Sequence, residues 1–340
     1  MKRIVWSISL IAVLFLLTAC LEDLFPPDDY AVQQAMRLNP LSAPTSVSGF
    51  YYPNYGKPFS FDSSSVFYLS SSLRRKALNQ YYASNLLPGN MRCTDRKYLA
   101  ADTTAQKLYV AADNNIYSLK FDGTQLQNLT PANVDTLTAP SLSPDRRYLT
   151  FIRAGKINRL DLQTGTRVEI DNNPAAEYAI YRPDLDRYFF FTPYGPPYGR
   201  ELYLCEWDGG APTRVLWDDG SNTVFAVSAD GRWFGMLNQP DKIVTTENTL
   251  RIWGSDSGSS FVLEKVSAFA FSPSSTELYY SQKVYGSTNI AKMTLGTPQI
   301  QMLFDGILSS ERYFYPIWEI TPRIDGEWLY FRGFTYKHKS

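Results

Sequence analysis

The hydrophobic pattern changes character once along the chain. Residues 4–17 form a nearly unbroken apolar run, interrupted only by Ser7 and Ser9. Beyond it no apolar run approaches twenty residues, so nothing else in the sequence is long enough to span a bilayer. The remainder is built of short apolar runs rich in aromatic and β-branched residues, bounded by Gly, Pro, Asp and Ser. Runs of that kind predict strands.

These strands recur in register. Ser143-Pro144-Asp145 precedes Tyr148-Leu149-Thr150-Phe151-Ile152, and Arg182-Pro183-Asp184 precedes Tyr188-Phe189-Phe190-Phe191. Ser228-Ala229-Asp230-Gly231 precedes Trp233-Phe234, Ser272-Pro273-Ser274 precedes Leu278-Tyr279-Tyr280, and Thr321-Pro322 precedes Trp328-Leu329-Tyr330-Phe331. A degenerate copy begins at Ala101. The first positions 101, 143, 182, 228, 272 and 321 are 42, 39, 46, 44 and 49 residues apart. Downstream in most copies a second strand ends in a Gly turn. Ile116 to Gly123 aligns without gaps to Leu202 to Gly209, and Ile157 to Gly165 is one residue longer. Glycine supplies the positive φ that tight hairpins need.

About four strands per repeat of this length describe a propeller blade. The Ser-Pro-Asp turn, the strand after it and the Asp161 to Gly165 hairpin resemble the TolB-like, WD40-related propeller family, over roughly residues 90–335. The resemblance implies architecture and says little of function, because this repeat serves many activities. The expected fold is all-β: a six-bladed β-propeller, with seven blades as the alternative if residues 50–90 form a further unit. The last copy has only nine residues after Phe331. Closure by strands from both chain ends follows, with Val66 to Leu78 as the expected missing hairpin.

At the start, Met1-Lys2-Arg3 is a positive cap on the apolar run, which ends in Leu17-Thr18-Ala19-Cys20. This resembles the lipobox of bacterial lipoproteins. It implies a signal peptide over residues 1–19, cleavage before Cys20 and lipid (palmitate among it) on that cysteine. Residues 20–43 read as a lipidated tether, with Ala31 to Leu38 able to form a short helix, and residues 44–340 as the propeller domain. The implied place is the cell envelope: the outer membrane in a Gram-negative host, since Leu21 rather than Asp follows the cysteine, and otherwise the membrane surface.

Composition narrows the function. Lys+Arg and Asp+Glu both number 33, so no basic excess draws in nucleic acid. Cys93 and Cys205 fall in different repeats and read as buried thiols rather than a disulfide. The sole histidine, His338, is the third residue from the end, and with two cysteines it makes no ordinary zinc site. Gly254-Ser255-Asp256-Ser257-Gly258 resembles a nucleophile elbow but lacks a central serine, and the repeat explains it as a hairpin. No cofactor motif is present. These absences favour a non-catalytic binding or scaffold module for a protein or glycan partner. The alternative is a propeller hydrolase or lyase acting on sugars or peptides, because two carboxylates converging in the channel would suffice for glycoside cleavage and no spacing would reveal them. The expected partner surface is the face of the loops joining second and third strands, carrying Tyr194, Tyr198, Arg200 and Tyr285, since tyrosine and arginine are enriched at binding hot spots.

Overall fold

The computed structural model describes residues 31–37, 45–46, 59, 62–77, 83–131, 135–193, 200–218, 222–239, 248–284, 287–304, 313–322 and 328–336. Among these the chain is all-β, with no helix, and forms six four-stranded antiparallel blades arranged as a six-bladed propeller. The innermost strands of blades 1 to 6 are Ala100–Asp102, Leu137–Leu142, Tyr178–Arg182, Asn222–Val227, Val266–Phe271 and Tyr313–Pro322. A further three-stranded sheet, Ser65–Leu69, Leu73–Ala77 and Ser84–Asn85, lies between blades 6 and 1 in chain order, in the stretch counted above as an alternative seventh unit. Phe59 extends it by an isolated bridge to Phe67.

Successive side chains of a strand point to opposite faces. That rule explains why the second strands are apolar without alternation. In Arg187–Phe191, Tyr188 and Phe190 pack toward blade 2 with Ile152, Ile157 and Ile170. Phe189 and Phe191 pack toward blade 4 with Phe234 and Met236. The core is therefore a series of layers between blades rather than one central mass. The layer between blades 4 and 5 is tight enough to require glycine: a Cβ on Gly235 would run into the Phe269 ring.

The recurring turns join first to second strands, and their chemistry is local. Ser143 Oγ donates to Asp145 Oδ1 (2.5 Å) and accepts from the Tyr148 N–H (2.9 Å). Ser228 repeats both bonds with Asp230 (2.6 Å) and Trp233 (2.9 Å). In blade 5, Ser274 stands where aspartate is expected, and its hydroxyl lies 3.1 Å from Ser272 Oγ, taking the carboxylate's place. Blade 3 has Arg182 at the serine position. Its guanidinium makes the same two-residue contact, Nε to Asp184 Oδ1 at 2.7 Å and Nη2 to Oδ2 at 2.5 Å. It then reaches on to blade 4, donating to the Gly231 carbonyl at 3.0 Å and Ser255 Oγ at 3.1 Å, with Asp256 at 3.3 Å. Gly254 to Gly258 is thus a hairpin that receives this arginine.

The ring closes with strands from both chain ends, but not with the expected hairpin. Ala31–Arg37 pairs antiparallel along Trp328 to Phe334, and Thr45–Ser46 pairs outside it. The described part of the expected hairpin instead lies in two strands of the three-stranded sheet, Ser65–Leu69 and Leu73–Ala77, which packs on blade 1 through Phe67, Leu69, Leu73, Leu108, Val110 and Phe121. Ala31–Arg37, read above as tether and short helix, is a strand because blade 6 ends at an unpaired edge. A ladder there satisfies backbone groups that a helix of two turns could not hold on its own.

Cys93 and Cys205 are free and buried, and burial pushes each thiol up to about 12. Cys93 belongs to the layer under blade 1, Cys205 to that between blades 2 and 3.

Candidate functional site

The inner strands surround an axial chamber of about 490 Å³, within the size range of small-molecule sites. It is lined by residues of those strands, among them Pro140 in blade 2, Tyr178 in blade 3, Phe225 in blade 4, Ala270 in blade 5 and Ile320 in blade 6. Its mouth lies among the first-to-second-strand turns, where Pro144, Ala229, Pro273 and Pro322 stand beside Ser143, Arg146, Ser228 and Ser272. This mouth is on the turn face, opposite the loops that join second to third strands.

The floor is aromatic. Tyr98 lies 5.1 Å from the Tyr178 ring and 5.8 Å from Phe225, and Tyr178 and Phe225 are 5.5 Å apart. Phe191 backs Phe225 in a stacked pair at 3.9 Å. Tyr98 precedes the inner strand of blade 1, whereas its partners belong to blades 3 and 4. Because blade 2 separates blades 1 and 3, these contacts cross the axis and close the chamber on the loop side.

Glu177 holds this plug in place. Its Oε1 accepts from Tyr98 OH (2.9 Å), Lys97 Nζ (3.0 Å) and Arg200 Nη2 (3.0 Å), and its Oε2 lies 2.8 Å from Arg200. The Arg200 guanidinium also lies over Phe225, 5.3 Å from the ring centroid. Asp95 fixes the approach of the plug segment. Its Oδ1 accepts from the Lys97 N–H (2.7 Å) and its Oδ2 from the Ala139 N–H (2.8 Å). Ala139 sits at a bulge in blade 2 with φ of 52°. Burial raises the Asp95 carboxyl above its ordinary value, and the bonds from Lys97 and Ala139 oppose this. Burial, reinforced by Glu177, raises the Tyr98 phenol, and burial pushes Tyr178 up to about 12 against its bond to Ser141.

The Glu177 carboxylate is committed to three donors, and both phenols stay protonated at neutral pH. Among the described residues no group of three or more His, Cys, Asp or Glu stands together to hold a metal ion.

Of the residues singled out from sequence, Arg200 is described, and it lies behind the floor on the loop side. Tyr194, Tyr198 and Tyr285 lie outside the described residues, as do Cys20 and His338. Lys97, Tyr98, Glu177 and Phe225 were not foreseen. Lys97 and Tyr98 precede blade 1, Glu177 precedes the inner strand of blade 3 and Phe225 lies in blade 4, so they share no local motif, and the available hint was that Tyr178 and Phe225 occupy strands leading into recurring turns.

No family model matches this chain, and no curated protein matches it. Solved structures do. Oligogalacturonate lyase in complex with manganese matches with a TM-score of 0.53 at 12% identity, over 91% of this chain and 92% of that one. TolB from Acinetobacter baumannii matches with a TM-score of 0.46 at 15% identity, over 93% of this chain and 67% of that one. The putative TolB from Agrobacterium tumefaciens has a TM-score of 0.39 at 19% identity, over 64% of this chain and 75% of that one. At such identities the likeness is one of fold.

Proposed function

We propose that this chain is a lipid-anchored envelope protein whose propeller is a non-catalytic binding module for a protein or glycan partner. The observation that carries the binding reading is the axial chamber, with an aromatic floor and neighbouring charges already paired within the protein. Rigid pre-paired groups lose little freedom on binding and offer no spare base. The alternative, a hydrolase or lyase, has on its side the fold shared with oligogalacturonate lyase, and at 12% identity the fold carries no chemistry with it.

The anchoring rests on the sequence from Met1 to Cys20. Each buried acyl methylene contributes about 0.8 kcal/mol and stable attachment takes more than one chain. In a Gram-negative host the anchor belongs in the outer membrane, and in a host with one membrane at its surface. Replacing Cys20 by serine is expected to abolish palmitate incorporation and to leave an unprocessed or soluble form. Metabolic labelling and fractionation of a native culture check this, and label retained by the Cys20→Ser protein would disprove it.

A further inference from the structure

We propose that the axial chamber is a carbohydrate site, taking one or two neutral sugar rings that enter from the turn face and stack on the aromatic floor. This rests on the reading of the propeller as a binding module and names the ligand class of that module.

The first reason is the state of the aromatic residues. Tyr98, Tyr178 and Phe225 all line the chamber and each keeps part of its surface unburied. Phe59, at the edge of the three-stranded sheet, faces it too. Aromatic area held open inside a rigid chamber favours a ligand with a flat, partly apolar face. A pyranose ring presents such a face through its axial C–H groups.

The second reason is charge. Two charged side chains, Lys97 and Arg146, line the chamber. Each already faces a carboxylate, Lys97 with Glu177 at 3.0 Å and Arg146 with Asp102 at 3.7 Å. With each cation paired, the lining offers no net field to compensate the desolvation of an anionic or a cationic ligand. A neutral ligand has no such charge to desolvate. The ammonium and guanidinium groups still carry more N–H donors than one carboxylate contact each takes, so they can bond to sugar hydroxyls.

The third reason is size and lining. A volume of about 490 Å³ accommodates a disaccharide but not a folded domain. The entry carries Arg146 and the turn serines Ser143, Ser228 and Ser272 beside its prolines, and the floor is aromatic, as a ring with one apolar face and a hydroxylated edge requires.

Saturation-transfer NMR on the purified full chain tests this, in a detergent without a sugar headgroup. The probes are maltose, cellobiose and diacetylchitobiose, beside glucuronate and the amide of N-acetylphenylalanine. Saturation is expected on ring protons of at least one neutral disaccharide, with one face of the ring more strongly marked. Tyr98→Leu should weaken its affinity by about fivefold, the size of a lost stacking contact, whereas Tyr98→Phe should keep it within about twofold. Should Tyr98→Leu not fold, Arg146→Met at the exposed rim provides the second reading, with an expected loss of about threefold. Absence of saturation on every neutral disaccharide, or saturation confined to the phenylalanine amide or to glucuronate, would overturn the sugar class and leave the binding module standing. Unchanged affinity in Tyr98→Leu, or in Arg146→Met where that variant is used, would overturn the site. Cleavage of the disaccharide in the same tube would overturn the non-catalytic reading while upholding the sugar class.

Discussion

Deleting residues 31–46 is expected to abolish cooperative folding of the whole propeller, not to trim a terminus. The deletion removes the Ala31–Arg37 strand, whose seven residues all pair with blade 6, from Ala31 opposite Phe334 to Arg37 opposite Trp328. At a net worth of about 1 kcal/mol for each lost hydrogen bond, the ladder is worth roughly 5 kcal/mol. A domain's entire stability is about 5–15 kcal/mol. The Trp328–Tyr336 strand would also become an exposed edge, open to pairing with another chain. Circular dichroism during heating should show a broad or absent transition, with aggregation. A synthetic peptide covering residues 29–47, added in trans, should restore solubility by pairing as a strand. A deletion protein that melts sharply at the unaltered temperature would refute this closure.

Replacing Arg182 by alanine is expected to cost about 2–3 kcal/mol, less than a fully buried ion pair because its acidic partners remain half-exposed. The arginine is 1% exposed and joins the turn of blade 3 to the turn and hairpin of blade 4. Its loss leaves a cavity against Ile180 and Gly231 and deprives the Gly231 carbonyl of its donor. Arg182→Met retains the packing of the stem and should cost less. The pH dependence separates charge from packing. Arg182 lowers the Asp184 carboxyl below its ordinary value of 3.8. A group lowered in the folded state contributes stability above its unfolded value and loses it as pH falls through the folded one. The gap between the native protein and Arg182→Ala in urea titrations should therefore be full near neutrality and narrow below 3.8. A gap independent of pH would assign the effect to packing alone.

These two sites also mark how far the sequence speaks. The turns were legible because their chemistry is local: a hydroxyl, a carboxylate two residues on and an N–H five residues on lie within one turn. The Gly hairpins were legible for the same reason, since Gly123, Gly165 and Gly209 all adopt positive φ. Arg182 could be aligned to the serine position, but its partners Gly231, Ser255 and Asp256 are 49 to 74 residues away. The closing strand was misread because Ala31, Val32, Ala35 and Met36 have the spacing of a helix face. What decides their form is an edge three hundred residues downstream. The chamber was illegible for the same physical reason. Glu177 meets Lys97 and Tyr98 across 80 and 79 residues of chain, and only closure of the ring brings them to one axis.

Site-directed photo-crosslinking in native membranes tests the chamber most directly. Ala229 is exposed at the mouth, and Val262, 56% exposed, lies on an outer strand remote from it. A benzophenone amino acid placed at residue 229 should yield a discrete adduct that saturates with expression level and is reduced in the Tyr98→Leu background. The same group at residue 262 should not. Equal adducts from both positions, or a discrete adduct from 262 and none from 229, would contradict the assignment of binding to the axial chamber.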